Sequence, residues 1–310
     1  MSSDAAVQRR TIGTAVASGL AVLCMLIWGT PPVVARAVSS GVPPIALSFS
    51  RWFIAGLVLL PFVWRRLPSE WPKIRRHWKS LLLLAGFMVM GSSLSVVAVY
   101  FTTATNAVLV NASQPAITAL IAWLIASERL AARQGVGVCL AFLGIVVMIC
   151  RADWSVLVTL DINVGDPVML GAVVGWSLYA VHLHRREYAP SGEVLLFLIA
   201  VVGTLVLGPM YLVEATIVGP FELRPAYLSA MVYLALFPTL LATYCWNLAI
   251  GALGANRAAI FINLIPIFGA LFAMIFLGES LYLYHLIGAA LVFLGIFFAT
   301  RRRPARMSEL

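Results

Sequence analysis

The residues best suited to chemistry in this chain are amides and aromatic side chains set inside apolar runs. Asn111 and Gln114 lie one turn apart, with Thr118 a further turn on, so the three share one helical face. Pro115 sits among them and cannot donate to the Asn111 carbonyl, which leaves that acceptor open to a side chain, water or a ligand. Trp176, Tyr179 and His182 recur at helical spacing, as do Tyr233, Phe237, Tyr244 and Asn247. Trp28, Tyr100 and Asn263 complete the candidate pocket residues. A few amides among aromatic rings suit an amphipathic organic solute. Each ring has a plainer alternative in an interfacial belt or in helix packing, and each amide in an interhelical hydrogen bond. A lipid-facing amide is disfavoured, which favours inward-facing roles for Asn111, Gln114 and Asn247.

The charged residues speak for less. Arg51 stands just inside an apolar run, where it either attracts a substrate anion or anchors its helix by reaching outward. Glu128 and Glu279 sit at the ends of apolar runs, where a structural role at a turn is expected. His182 and His184 are two apart and point to different helical faces, a poor arrangement for joint metal ligation. No pair of acids lies within an apolar run, and there is no His-x-x-x-His with a carboxylate and no Gly-x-Ser-x-Gly. The expectation is no enzyme, no catalytic set, no metal and no cofactor. Cys24, Cys139, Cys150 and Cys245 have no framework spacing and read as small core residues.

The elements that position these residues follow from composition. The chain of 310 residues is 62% hydrophobic and 11% charged, with a mean hydropathy of +0.99. A water-soluble fold of this length cannot hide that much apolar surface, so the solvent is lipid. Ten apolar runs approach the roughly 20 residues that a span needs: 14–35, 43–64, 79–101, 105–126, 130–150, 166–184, 192–213, 226–250, 255–277 and 281–300. They are continuously apolar and do not alternate at period two, which predicts helices and not a barrel. Arg9-Arg10 before the first run and Ala35-Arg36-Ala37 after it resemble a cleavable signal, but the run is long and carries Trp28, Gly29, Pro31 and Pro32, so a retained span is expected.

The net charge of +9 does not point to nucleic acid, because it is not gathered on one soluble face. Threading the ten runs puts seventeen of the 21 Lys and Arg residues on one side, six of them between Arg65 and Lys79 with Trp64, Trp71 and Trp78. That asymmetry predicts cytoplasmic termini at both ends and a cytoplasmic surface loop at 65–79.

The chain also repeats. Shifted by 151 positions, Ala107–Arg151 lands on Ala258–Arg302 with 14 identities over 45 ungapped positions. Pro115 falls on Pro266, Glu128 on Glu279, Gly137 on Gly288 and Gly144 on Gly295. Both prolines are expected to kink their helices and to serve as hinges for gating. The glycines mark faces on the fifth and tenth runs that allow close helix packing between repeats. Five spans per half make the second half enter the membrane from the opposite side, so the repeats are inverted, the geometry of alternating access around a central site.

Trp28-Gly29, Arg51-Trp52-Phe53, Tyr100-Phe101-Thr102-Thr103-Ala104-Thr105-Asn106, Pro115 and Glu128-Arg129-Leu130 together resemble the EamA-type transporters of the drug/metabolite transporter superfamily. Leu264-Ile265-Pro266 through Leu277-Gly278-Glu279 to Gly288 and Gly295 resembles a second copy. The resemblance implies an all-α membrane protein with ten transmembrane helices, two inverted five-helix EamA repeats around a central cavity. That cavity would be lined by the first, third, fourth, sixth, eighth and ninth helices, with the fifth and tenth packed together. The expected organisation is a cytoplasmic tail at 1–13, a first repeat at 14–150, an external linker at 151–165, a second repeat at 166–300 and a basic cytoplasmic tail at 301–310. The expected function is secondary transport of small organic metabolites in a bacterial inner membrane, with export of amino acids or related solutes ahead of uptake of a vitamin or cofactor precursor. A non-transporting membrane interaction protein is the alternative from another class. Its partners are then a small-molecule substrate and membrane lipid, not nucleic acid; a monomer suffices, and the oligomeric state is left open.

Overall fold

The computed structural model describes residues 13–126, 132–151, 153, 163–184, 190–253 and 261–300. Glu128, Arg129, nearly all of both tails and most of the linker between the halves lie outside the described residues. Within the described residues the chain is helical throughout, without strands. In lipid each backbone donor must be satisfied within its own segment, and helices do this.

The first half runs through α1 (Thr14–Trp28), α2 (Pro31–Val38), α3 (Pro44–Val63), α4 (Leu67–Arg76), α5 (Trp78–Ala98), α6 (Ala104–Asn111), α7 (Gln114–Ala126) and α8 (Ala132–Ile149). The second half runs through α9 (Gly165–His184), α10 (Gly192–Val218), α11 (Pro225–Leu234), a π-helical segment (Ala235–Leu241), α12 (Ala242–Leu253), α13 (Leu264–Leu277) and α14 (Leu283–Thr300). Six stretches are long and apolar enough to cross a bilayer: Thr14–Val38, Pro44–Val63, Trp78–Ala98, Gly165–Leu183, Gly192–Val218 and Pro225–Ala249. The bent pair α6 and α7 makes a seventh. Gly135–Ile149, Leu264–Leu277 and Leu283–Phe298 are apolar but shorter.

The basic stretch expected as a loop is partly helical. Pro68 and Glu70 lie in the first turn of α4, and Lys73, Arg75 and Arg76 lie in its last, which matches the helix dipole at both ends. Glu70 Oε2 accepts from the Ser191 backbone N–H at 2.8 Å, and Arg66 pairs with Glu193, so α4 is tied to the start of α10. Trp64, Trp71 and Trp78 are all exposed there, as an interfacial belt requires.

The helix pairing follows the repeat. The main pairs are α8 with α14, α5 with α9, α3 with α10 and α1 with α12. A shift of 151 positions turns α1 into α9, α3 into α10, α5 into the α11–α12 stretch and α8 into α14. The α5–α9 pair then becomes α1–α12, and the packing of α9 on α7 becomes that of α1 on α13. The α3–α10 and α8–α14 pairs map onto themselves. Each half therefore lends its first helix to the other.

The α8–α14 contact runs backbone against backbone. A Cβ added at Gly144 would lie 2.6 Å from the Gly288 carbonyl oxygen, and one added at Gly295 would lie 2.5 Å from that of Gly137. Position 137 thus faces 295 and position 144 faces 288, which makes the helices antiparallel.

Candidate functional site

Both halves contain a broken helix. α6 stops at Asn111 and α7 restarts at Gln114 with a bend of 42°. Turns bridge the gap: the Ser113 N–H donates to the Val110 carbonyl and the Ala116 N–H to that of Ser113. Pro115, in the first turn of α7, supplies no donor to continue the earlier helix. In the second half Ile262 and Asn263 form the turn before α13, and Pro266 lies in its first turn. Ala112 and Asn263 occupy equivalent positions of the repeat, so the break itself is duplicated.

Each break is crossed by the first helix of the other half. Over the first break, Thr118 Oγ1 donates to the Gln114 carbonyl at 2.7 Å and lies 2.9 Å from Ser177 Oγ of α9. Over the second, Trp28 of α1 packs on the same buried cluster as Ile262 and Ile265. Trp28 Nε1 also donates to the Pro238 carbonyl at 2.9 Å, and its ring lies 5.6 Å from that of Trp246. A Trp28→Phe variant keeps an aromatic ring and removes that hydrogen bond. It is expected to lose about 1–2 kcal/mol of stability, read from the melting of the detergent-purified protein.

The sequence-predicted residues divide into two groups. Asn111 and Gln114 are half-buried at the first break, and Asn111 Oδ1 is buried without a protein partner among the described residues. Asn263 is half-buried at the second break. Trp176 lies on Gly91 of α5 and meets Tyr179 edge-on at 6.5 Å, both on the helix that crosses the first break. Asn111, Gln114 and Asn263 thus stand at the breaks, whereas Trp176 lies against α5 and Tyr179 packs on the apolar cluster shared by α3, α5 and α10.

Tyr100, Tyr244 and Asn247 stand elsewhere. The Tyr100 hydroxyl donates to the Val42 carbonyl at 2.6 Å, a tie at the end of the bundle. Tyr244 is 59% exposed, on the face of α12 opposite Ala242 and Cys245, which pack on α1. Asn247 is also exposed, near Gly192 at the start of α10. The cause is Ala235–Leu241: wide π turns rotate everything after them by about 100° relative to an unbroken helix. Tyr233 and Phe237 stack at 5.0 Å and Tyr233 OH lies 2.8 Å from Thr30 Oγ1, while Tyr244 and Asn247 leave their stripe. Pro238, inside this stretch, was the available sequence signal for the irregularity.

Sequence reasoning also missed a polar seam at one end of the bundle. Asp166 is buried and accepts from Thr102 Oγ1 at 2.6 Å and from Asn106 Nδ2 at 2.8 and 2.9 Å. Beside it, Thr102, Thr103, Asn106, Arg151, Asn163, Tyr282 and Tyr284 line a cavity of about 380 Å³. Glu279 caps α6, accepting from the Ala104 and Thr105 backbone N–H groups at 2.8 Å each. Glu214 does the same for α3, through Ile45 at 3.0 Å and Ala46 at 2.8 Å. An acid at the opening of an apolar run was the signal for Asp166; nothing in the sequence names the partners of Glu214 or Glu279. Arg51, by contrast, turns inward and is buried.

Comparison with known proteins agrees with this architecture. The sequence profile of the EamA-like transporter family matches residues 16–150 and 163–301. The chain is 28% identical to "Uncharacterized transporter YyaM" of Bacillus subtilis, over 74% of this chain and 75% of that one. It is 26% identical to an "Uncharacterized transporter" of Archaeoglobus fulgidus, over 92% and 97% of the two chains. It is 26% identical to the "Probable amino-acid metabolite efflux pump" of Salmonella typhimurium, over 93% and 97%. One crystal structure shares the fold at a TM-score of 0.59 and 19% identity, covering 92% of this chain and 96% of the other.

Proposed function

Because the chain belongs to the EamA-like transporter family, we propose that it moves small organic metabolites across a bacterial inner membrane by alternating access, exporting amino acids or related amphipathic solutes. In this reading ten helices form two inverted five-helix repeats, both termini are cytoplasmic, and the substrate sits between the two broken helices. The observation that carries it is the exchange symmetry of the helix pairs, in which each break is crossed by the first helix of the other half. Such a structure has two equivalent packings, one open to each side. Export of amino-acid-like solutes draws support from the name of the Salmonella relative.

Counterflow in liposomes tests the transport reading. Protein preloaded with an unlabelled solute should accumulate the same radiolabelled solute transiently, for at least one member of a panel of amino acids, drugs and vitamins. No counterflow for any of them would overturn it. Single cysteines at Ala132 and Tyr282 test the inversion: an impermeant thiol reagent should reach them from opposite membrane faces. Pro115→Ala and Pro266→Ala test the hinge role. Each is expected to slow exchange several-fold, and wild-type rates in both would remove the hinges from the mechanism.

A further inference from the structure

Arg51 is the eighth residue of α3, roughly 10 Å along the axis from the start of that helix. It is only 6% exposed. The ion pairs among the described residues are Arg66–Glu193 and Arg224–Glu222, so no described acid balances its charge. Its one hydrogen bond among those residues goes to a neutral group, from Nη2 to Ser92 Oγ of α5 at 2.5 Å. The guanidinium also lies 5.0 Å from the centre of the Trp52 ring. Of its donor nitrogens, Nε is buried without a partner among the described residues.

The surroundings share this deficit. Ser48 precedes Arg51 by one turn on the same face of α3, and Ser93 follows Ser92 on α5. Ser48 Oγ, Ser93 Oγ and Trp52 Nε1 are all buried and unpartnered. With Arg51 Nε they are four of the nine such atoms among the described residues. Each can donate, and the one full charge is positive. A buried cation without a countercharge is strongly disfavoured, and a purely structural arginine would have reached the surface or met an acid. Glu214 of α10 is not that acid, since both its oxygens are engaged by the start of α3.

We propose that Arg51, with Ser48 and Ser93, receives the carboxylate of the transported solute, which makes the substrate a carboxylic acid or zwitterion. This rests on the transport reading above and narrows its substrate class. A carboxylate offers two coplanar acceptors to the guanidinium fork and further lone pairs to the serine hydroxyls. Arg51 reaches across to α5, and α5 packs on α9, the helix that crosses the first break, so the receptor stands beside the site proposed above.

The test uses detergent-purified full-length protein and a panel of L-amino acids, each beside its carboxamide, with sodium chloride as an inorganic-anion arm. At least one free acid should raise the melting temperature while its amide and chloride do not. R51Q should weaken the apparent affinity for that acid by about tenfold or more. R51K keeps the charge without the fork and should weaken it several-fold, which covers the case in which R51Q does not fold. Stabilisation by no acid, equal stabilisation by acid and amide, an equal effect of chloride, or wild-type affinity in R51K would each overturn the proposal. Counterflow of an amide by the wild-type protein would leave transport standing and remove only the carboxylate receptor. Absence of all counterflow alongside an acid-specific melting shift would do the reverse.

Discussion

Gly295→Leu is expected to lower stability by at least about 3 kcal/mol, or to prevent recovery of folded protein, while Gly19→Leu changes little. The difference lies in what a side chain would meet. At Gly295 the first added carbon already lies 2.5 Å from the Gly137 carbonyl oxygen, 2.7 Å from the Ala141 nitrogen and 2.9 Å from the Ala141 Cβ. Two of these are backbone atoms and cannot rotate away. The same holds at Gly144, where the Gly288 carbonyl oxygen would be 2.6 Å away and the Val292 nitrogen 3.0 Å. In lipid no hydrophobic force drives two apolar helices together, so their association depends on this close approach. Gly19, on an exposed face of α1, has nothing within 4 Å. Thermal unfolding and size-exclusion profiles of both variants check the contrast. A Gly295→Leu protein that melts like wild type would mean α8 and α14 are not in backbone contact.

Glu279→Ala is expected to cost about 2–4 kcal/mol, with Glu279→Gln intermediate. The carboxylate accepts two hydrogen bonds of 2.8 Å from the first residues of α6, where the helix end carries partial positive charge. Thr103 Oγ1 takes the next donor, the Asn106 N–H, at 3.1 Å, so all three leading amides are satisfied. The alanine variant leaves two of them without an acceptor. Gly278, at φ +66°, turns the chain so that Glu279 can reach across. The contact joins the two halves: the acid follows α13 and the helix it caps begins α6. Melting curves give the cost, and faster hydrogen exchange at Ala104 and Thr105 would locate it. Unchanged exchange there would show that Glu279 is not the cap.

Much of this was legible before any coordinates. Continuous apolar runs, the 151-residue offset and the paired prolines pointed to a duplicated, helical membrane protein with a proline kink in each half. The half-buried placement of Asn111 and Gln114 was legible as well, because an amide is disfavoured against lipid. Tyr244 and Asn247 were not, since a π turn upstream rotated them out of the stripe that their spacing implied. The basic stretch at 65–79 showed its interfacial aromatics but not its helix, because its charge read as a surface loop although Pro68 is well suited to a first helical turn.

What the sequence by itself determined, then, is the solvent, the helices, the repeat and the glycine faces. Only the tertiary structure decided that 137 meets 295 and 144 meets 288, that Glu279 serves α6, and that Arg51 turns inward to Ser92. The physical reason is the solvent. In water a helix marks its buried face by making the other polar, whereas a helix in lipid is apolar on both. Its sequence therefore records that it spans, while the direction each side chain faces is set by the neighbours that pack against it.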